Sequence, residues 1–206
     1  MEPFREHGFP GTALTLAMAA EIREPGRDIG LLEDIGKIAA IEFQLVALLR
    51  VRTDLVAFFD QPMLFGETVA TRFPEAQHDV SEAGNCYALG LNTAAVFHLM
   101  RVMEVQLKAV ASELGSPDPV KDAERNWGAI LRKVRARLDA LNNDPASKDR
   151  IEFHAEVYTL LGAVKIAWRN PVMHVEAKHD EQDARRILDA VKGFAQYLAS
   201  GLTPAA

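Results

Sequence analysis

The sequence predicts an all-α protein, an up-and-down helical bundle with two long helices. Three observations lead there. Apolar residues recur at three- and four-residue spacings over most of the chain. No segment sustains the period-2 alternation and Asn-Gly-type turns of a hairpin protein. The interruptions fall where Gly and Pro gather, as in DQPMLFG (60–66) and GSPDP (115–119).

A first long helix is expected from about Leu31 to Phe59, where FQLVALL is apolar nearly all round and so calls for cover on several sides. Pro62 and Gly66 end it. A second is expected from about Ser81 to Leu114, with Leu91, Ala94, Ala95, Met100, Met103, Leu107, Val110 and Leu114 at helical spacing. Gly90 and Ala94, one turn apart, would admit another backbone closely. Gly115 followed by prolines stops it. A third helix, about Trp127 to Leu141, gathers Ile130, Leu131, Val134, Leu138 and Leu141 on one face. A fourth covers about Lys148 to Trp168 and a fifth about Asp180 to Ser200. Residues 1–80 read as an N-terminal helical extension or subdomain, and 81–206 as the bundle. No internal repeat or low-complexity segment interrupts this order.

With 206 residues, 49% hydrophobic and 25% charged, the chain can bury a core without staples. Cys86 is its only cysteine, which excludes an internal disulfide and any zinc site with two thiolates, and fits a reducing cytoplasm. The mixed-charge lead of MEPFREHGFPGTALTLAMAA is unlike a secretory signal. The uncharged stretch from Ala83 to Met100 reaches membrane-spanning length, but Asn85, Asn92, Thr93 and His98 argue for a buried helix and no membrane. A net charge of −6 argues against bulk nucleic-acid binding and leaves room for a local basic site.

One segment resists a purely structural reading. In AWRNPVMH, Pro171 lacks an N–H, its ring would strike the carbonyl of Ala167, and it biases Asn170 toward an extended backbone. A break and restart is expected, with Asn170 as N-cap and Pro171 in the first turn. Arg169 would then end one helix and His174 lie about one turn into the next. Such a pair suits RNA cleavage. An imidazole with an intrinsic pKa near about 6.5 can take the ribose 2′-OH proton, and a guanidinium can hold the phosphate oxygens. The adjacent 2′-OH is the nucleophile, so no metal or cofactor is called for. One imidazole does not by itself supply both base and acid.

RNPVMH resembles the Arg-x4-6-His motif of the HEPN superfamily of helical-bundle proteins, in which a polar residue, often asparagine, follows the arginine. NTAAVFHLMRVMEVQLKAV is similar to the long second helix of bacterial HEPN-like proteins, and the likeness spans about residues 81–200. The resemblance implies a metal-independent endoribonuclease, often a toxin, an antiviral abortive-infection effector or an RNA-processing factor. It also implies a homodimer whose paired motifs line one cleft. On that basis Arg169 would stabilise phosphate, Asn170 orient, and His174 act as base or acid. Some family toxins carry a tyrosine two residues after the histidine that a partner nucleotidyltransferase antitoxin modifies. Val175 and Glu176 stand here instead, so that control has no acceptor at the expected place.

Two further groups bear on the site. His98, Arg101 and Glu104 form a polar string three residues apart, able to orient Arg169 or His174 or to make a helix–helix contact. Arg132, Lys133, Arg135 and Arg137 offer either an RNA phosphate track or a solvated basic face. Structural roles stay open for the motif as well: Asn170 as a cap, Arg169 on the last carbonyls of its helix, His174 as a buried hydrogen-bonded ring. His174, Glu176, His179 and Asp180 lack metal-ligand spacing. His154, between Glu152 and Glu156, reads as part of a solvated face, and Cys86 as a packing residue. A non-catalytic helical interaction module on the same fold is the alternative function.

Overall fold

A computed structural model describes residues 16–17, 28–45, 50–116, 126–141, 148–173 and 178–202. The chain divides into two units, Met1–Arg50 and Val51–Ala206. In the first, helix α1 spans Asp28–Leu45. Ile41 and Phe43 are exposed on it, so the all-round apolarity there does not signify all-round cover. Nor does a helix run on to Phe59. Residues 51–55 are not helical, with a turn over 53–55, and a 3-10 turn occupies Val56–Phe58.

The second unit is the helical bundle, and it takes in residues 51–80. Leu55, Phe65, Val69, Phe73, Ala76 and Val80 belong to the same apolar cluster as the helices that follow, which moves the boundary upstream of residue 80. Its helices are α2 (Glu67–Arg72), α3 (Gln77–Ala88), α4 (Asn92–Glu113), α5 (Trp127–Leu141), α6 (Lys148–Val164), the short α7 (Asn170–Met173) and α8 (Glu181–Gly201). Among the described residues there is no strand.

The helix expected over 81–114 is two helices. Gly90, at φ 75°, closes α3 with the Leu91 N–H on the Cys86 carbonyl (2.8 Å) and its own N–H on the Tyr87 carbonyl (3.1 Å). This paired closure needs a left-handed residue, which glycine supplies without a Cβ penalty. Gly90 therefore turns the chain, and among the described residues no backbone approaches it, nothing lying within 4 Å of a Cβ built on it. Gly115 (φ 72°) ends α4 in the same way, through Ser116 to Ala111 and Gly115 to Ser112.

α4 is the central helix, packed by α3, α8, α5, α6 and the segment around α7. Its buried residues include Val96, Leu99, Met100, Met103, Leu107 and Val110, and only a narrow stripe through Ala94, Phe97 and Arg101 is exposed. Gln106 is fully buried within this apolar helix. α5 has the expected limits, with Trp127, Ile130, Leu131, Val134 and Leu138 turned inward. α8 is capped by Asp180, which accepts the Asp183 N–H at 2.8 Å. No helix of the described residues is long and apolar enough to cross a membrane.

Candidate functional site

The helix does not break at Pro171. After Val164 the chain widens into a five-residue π turn, Lys165–Arg169, and the Asn170 N–H reaches back to the Lys165 carbonyl. Asn170 is helical (φ −63°, ψ −49°) instead of extended, so it does not cap a new helix. The physical reason lies in the proline. In an α-helix its ring would meet the carbonyl four residues back, and that carbonyl would lose its donor. One extra residue in the turn re-spaces the carbonyls and lets the helix pass the proline. The cost of helical φ/ψ before proline is borne by Asn170.

Arg169 ends the π turn, half-buried, and among the described residues its guanidinium has no hydrogen bond or ion pair. It does not cap the carbonyls of its own helix. The π turn and α7 both pack against α4. His174 and Glu176 lie outside the described residues, so the pairing of Arg169 with His174 does too. The chain returns at Lys178, and the His179 N–H donates to Thr93 Oγ1 (3.1 Å) at the start of α4.

His98 and Arg101 are drawn together by a residue the sequence reading passed over. Asp79 of α3 is buried, and its Oδ1 accepts the Arg101 Nε–H at 2.7 Å and lies 2.8 Å from His98 Nδ1. Burial pushes the Asp79 carboxyl up, but the hydrogen bonds and charges of Arg101 and His98 outweigh it and hold the group below the usual carboxylate range. The same carboxylate raises the Arg101 guanidinium. An ionised carboxylate only accepts, so Nδ1 of His98 carries a proton toward Asp79, and Nε2 is the ring nitrogen outside that bond. Glu104 pairs instead with Lys108 at 3.3 Å. No described contact joins His98, Arg101 or Glu104 to Arg169. The signal for Asp79 was its spacing, since it shares the helical stripe of Ala76, Val80 and Ala83, where a carboxylate needs partners.

The basic helix α5 is heterogeneous. Arg135 pairs with Asp139 (3.0 Å) and lies over the Tyr158 ring, with 6.0 Å from its guanidinium carbon to the ring centroid. Arg137 donates to the Gly115 carbonyl (3.1 Å), which ties α5 to the end of α4. Lys133 is half-buried with a partner of its own. Arg132 is exposed and, among the described residues, unpaired. A Cβ on Gly128 would lie 3.3 Å from Lys165 Nζ and 3.6 Å from Arg132 Nη1, so both cations gather over the first turn of α5. Lys165 begins the π turn that Arg169 ends, a cation the sequence reading did not single out.

His154 is not on a solvated face. It is 1% exposed, with Nε2 3.8 Å from Glu113 Oε1, joining α6 to the end of α4. Cys86 is half-buried against the core, and burial, then Glu82, pushes its thiol up. Among the described residues, no group of three or more His, Cys, Asp or Glu is placed to hold a metal ion. Compared with protein-family models, curated proteins and solved structures, the chain finds no match.

Proposed function

We propose that the protein is a metal-independent endoribonuclease of HEPN type, acting as a cytoplasmic homodimer through Arg169, Asn170 and His174. The observation that carries this reading is Arg169. A half-buried guanidinium with no counter-charge among the described residues is costly, and an arriving phosphate would supply a partner. Lys165 and Arg132 add positive charge beside the same π turn, in a chain whose net charge is negative.

In the proposed reaction His174 exchanges the proton of a ribose 2′-OH, the 2′-oxygen attacks phosphorus, and Arg169 holds the charge that develops on the phosphate oxygens. Asn170 orients the pair. A toxin, a phage-defence effector and an RNA-processing factor are the roles this chemistry would serve, with an antitoxin or nucleotidyltransferase as partner in the first case.

Incubation of purified protein with varied RNAs in EDTA tests the proposal. Cleavage leaving 2′,3′-cyclic phosphate ends is expected, and His174→Ala and Arg169→Ala proteins that keep wild-type circular dichroism should cut about 100-fold more slowly or worse. A second reading, a non-catalytic helical interaction module, draws on Ile166, which is 73% exposed within the π turn, and on exposed Leu160. Absence of cutting across all substrates would favour it.

A further inference from the structure

We infer that Asp79, His98 and Arg101 form a proton-transfer site of their own where α3 meets α4, with His98 Nε2 as a second catalytic imidazole for single-stranded RNA. The inference rests on the ribonuclease reading for its substrate and concerns a separate place on the bundle, since no described contact joins His98 or Arg101 to Arg169.

Three features of the cluster go beyond holding α3 to α4. First, His98 Nδ1 bonds the same Asp79 Oδ1 as Arg101 Nε. That second bond fixes the ring orientation and tautomer, the part a buried carboxylate plays behind a catalytic imidazole. Second, the working atoms are left unspent. His98 Nε2 has no partner among the described residues and is not a buried atom, and the Arg101 Nη groups make no hydrogen bond there. The Arg101 side chain is 54% exposed, so its outer donors reach solvent while Nε stays anchored. Glu104, one turn on, adds a weak attraction to Arg101, but its carboxylate is engaged by Lys108. Third, Phe97 stands beside them on the exposed stripe of α4, edge-on to the His98 ring at 5.8 Å between centroids. Positions 97 and 101 are one turn apart and share a face. An aromatic ring next to outer guanidinium donors that reach solvent is a combination that can stack a base and hold its phosphate.

The step balances within one phosphodiester. His98 Nε2 takes the proton of the 2′-OH, and the 2′-oxygen forms its bond to phosphorus. The bond to the 5′-oxygen breaks, and that oxygen takes a proton from water. The imidazolium returns its proton to solvent, and the product is a 2′,3′-cyclic phosphate with no net redox change. Arg101 Nη groups hold the phosphate oxygens, and Asp79 is a positioning residue that never touches substrate.

The test compares His98→Gln, Asp79→Asn and Phe97→Ala, each made in a His174→Ala parent, with that parent on single-stranded RNA in EDTA. Binding is measured on the same RNA carrying 2′-deoxyribose at the cut site. Glutamine keeps a donor for Asp79, so H98Q should retain the parent's melting curve. The expected result is a fall in kcat of about 100-fold or more in H98Q, with the dissociation constant within about twofold. D79N should lower kcat with KM unchanged. F97A should weaken binding about tenfold with kcat nearly unchanged. Parent cutting that survives H98Q with an unaltered pH profile, or a parent that cuts nothing while wild type cuts, overturns this inference and leaves the ribonuclease reading standing. Wild-type protein that cuts no RNA overturns that reading first, and this one with it.

Discussion

Gly84 of α3 faces the backbone carbonyl of Phe58 so closely that a Cβ built on it would lie 2.5 Å from that oxygen and 2.9 Å from Leu64 Cδ2. The contact is with backbone, which cannot swing aside as a side-chain tip does. The 3-10 turn Val56–Phe58 is thereby seated against α3, and the Phe58 ring meets Tyr87 edge-on at 5.0 Å. Gly84→Ala should therefore destabilise the second unit by about 1–3 kcal/mol, as overpacking does. Urea denaturation would measure it, and an unchanged midpoint would mean that Phe58 and α3 are not in register.

Gln106 offers the opposite case. Its side chain is fully buried in α4, and neither amide atom has a hydrogen-bond partner among the described residues. Gln106→Met keeps the length and removes the polar atoms, so it should stabilise the protein by about 1–2 kcal/mol. A rise in the urea midpoint without a change in slope is the expected readout.

Acid should act on the Asp79 cluster in a set direction. The Asp79 carboxyl is depressed in the folded state. Its stabilising share is therefore fully present above the unfolded value of about 3.9 and is lost as pH falls through the lower folded value. At pH 7 Asp79→Asn should be less stable than wild type, and the gap should narrow as the pH drops below about 4. Urea titrations at neutral and acid pH would show it, and a constant gap would mean that the carboxylate gains nothing from Arg101 and His98.

The cations over Gly128 make a prediction about salt. Arg132→Gln and Lys165→Gln should each weaken RNA binding at low salt. Each should also reduce the slope of log affinity against log salt by about 0.7, the share of one phosphate contact on a single strand. Arg135→Gln, whose guanidinium is engaged by Asp139 and Tyr158, should change the slope least. Equal effects at all three positions would assign the basic charge to general solvation.

Most of the bundle was legible because its helices carry one-sided stripes. α5 shows apolar residues on one face and arginines on the other, and its limits followed from that. The junction at Gly90 was not, since apolar residues continue on both sides and hide the left-handed glycine between them. His154 was misplaced by its sequence neighbours. Glu152 and Glu156 flank it in the chain, but Val157 and Leu161 share its helical face and take it into the core. Asp79 fell to the same oversight, and its bonds to His98 and Arg101 span 19 and 22 positions, beyond any local spacing rule. At Pro171 the expectation of a break came from α-helical geometry, whereas the chain took the wider turn that accommodates the ring.

That wider turn sets the phase of everything after it. One residue more than an α-helical turn needs rotates the following side chains by about 100° against α6. Deleting one residue from Lys165–Arg169 would leave every atom of Asn170 and Pro171 in place chemically while aiming them at a different neighbour. Val157 and Leu161, anchored upstream in the core, would not register the change. At this point of the chain, direction is encoded by how many residues there are as much as by which ones.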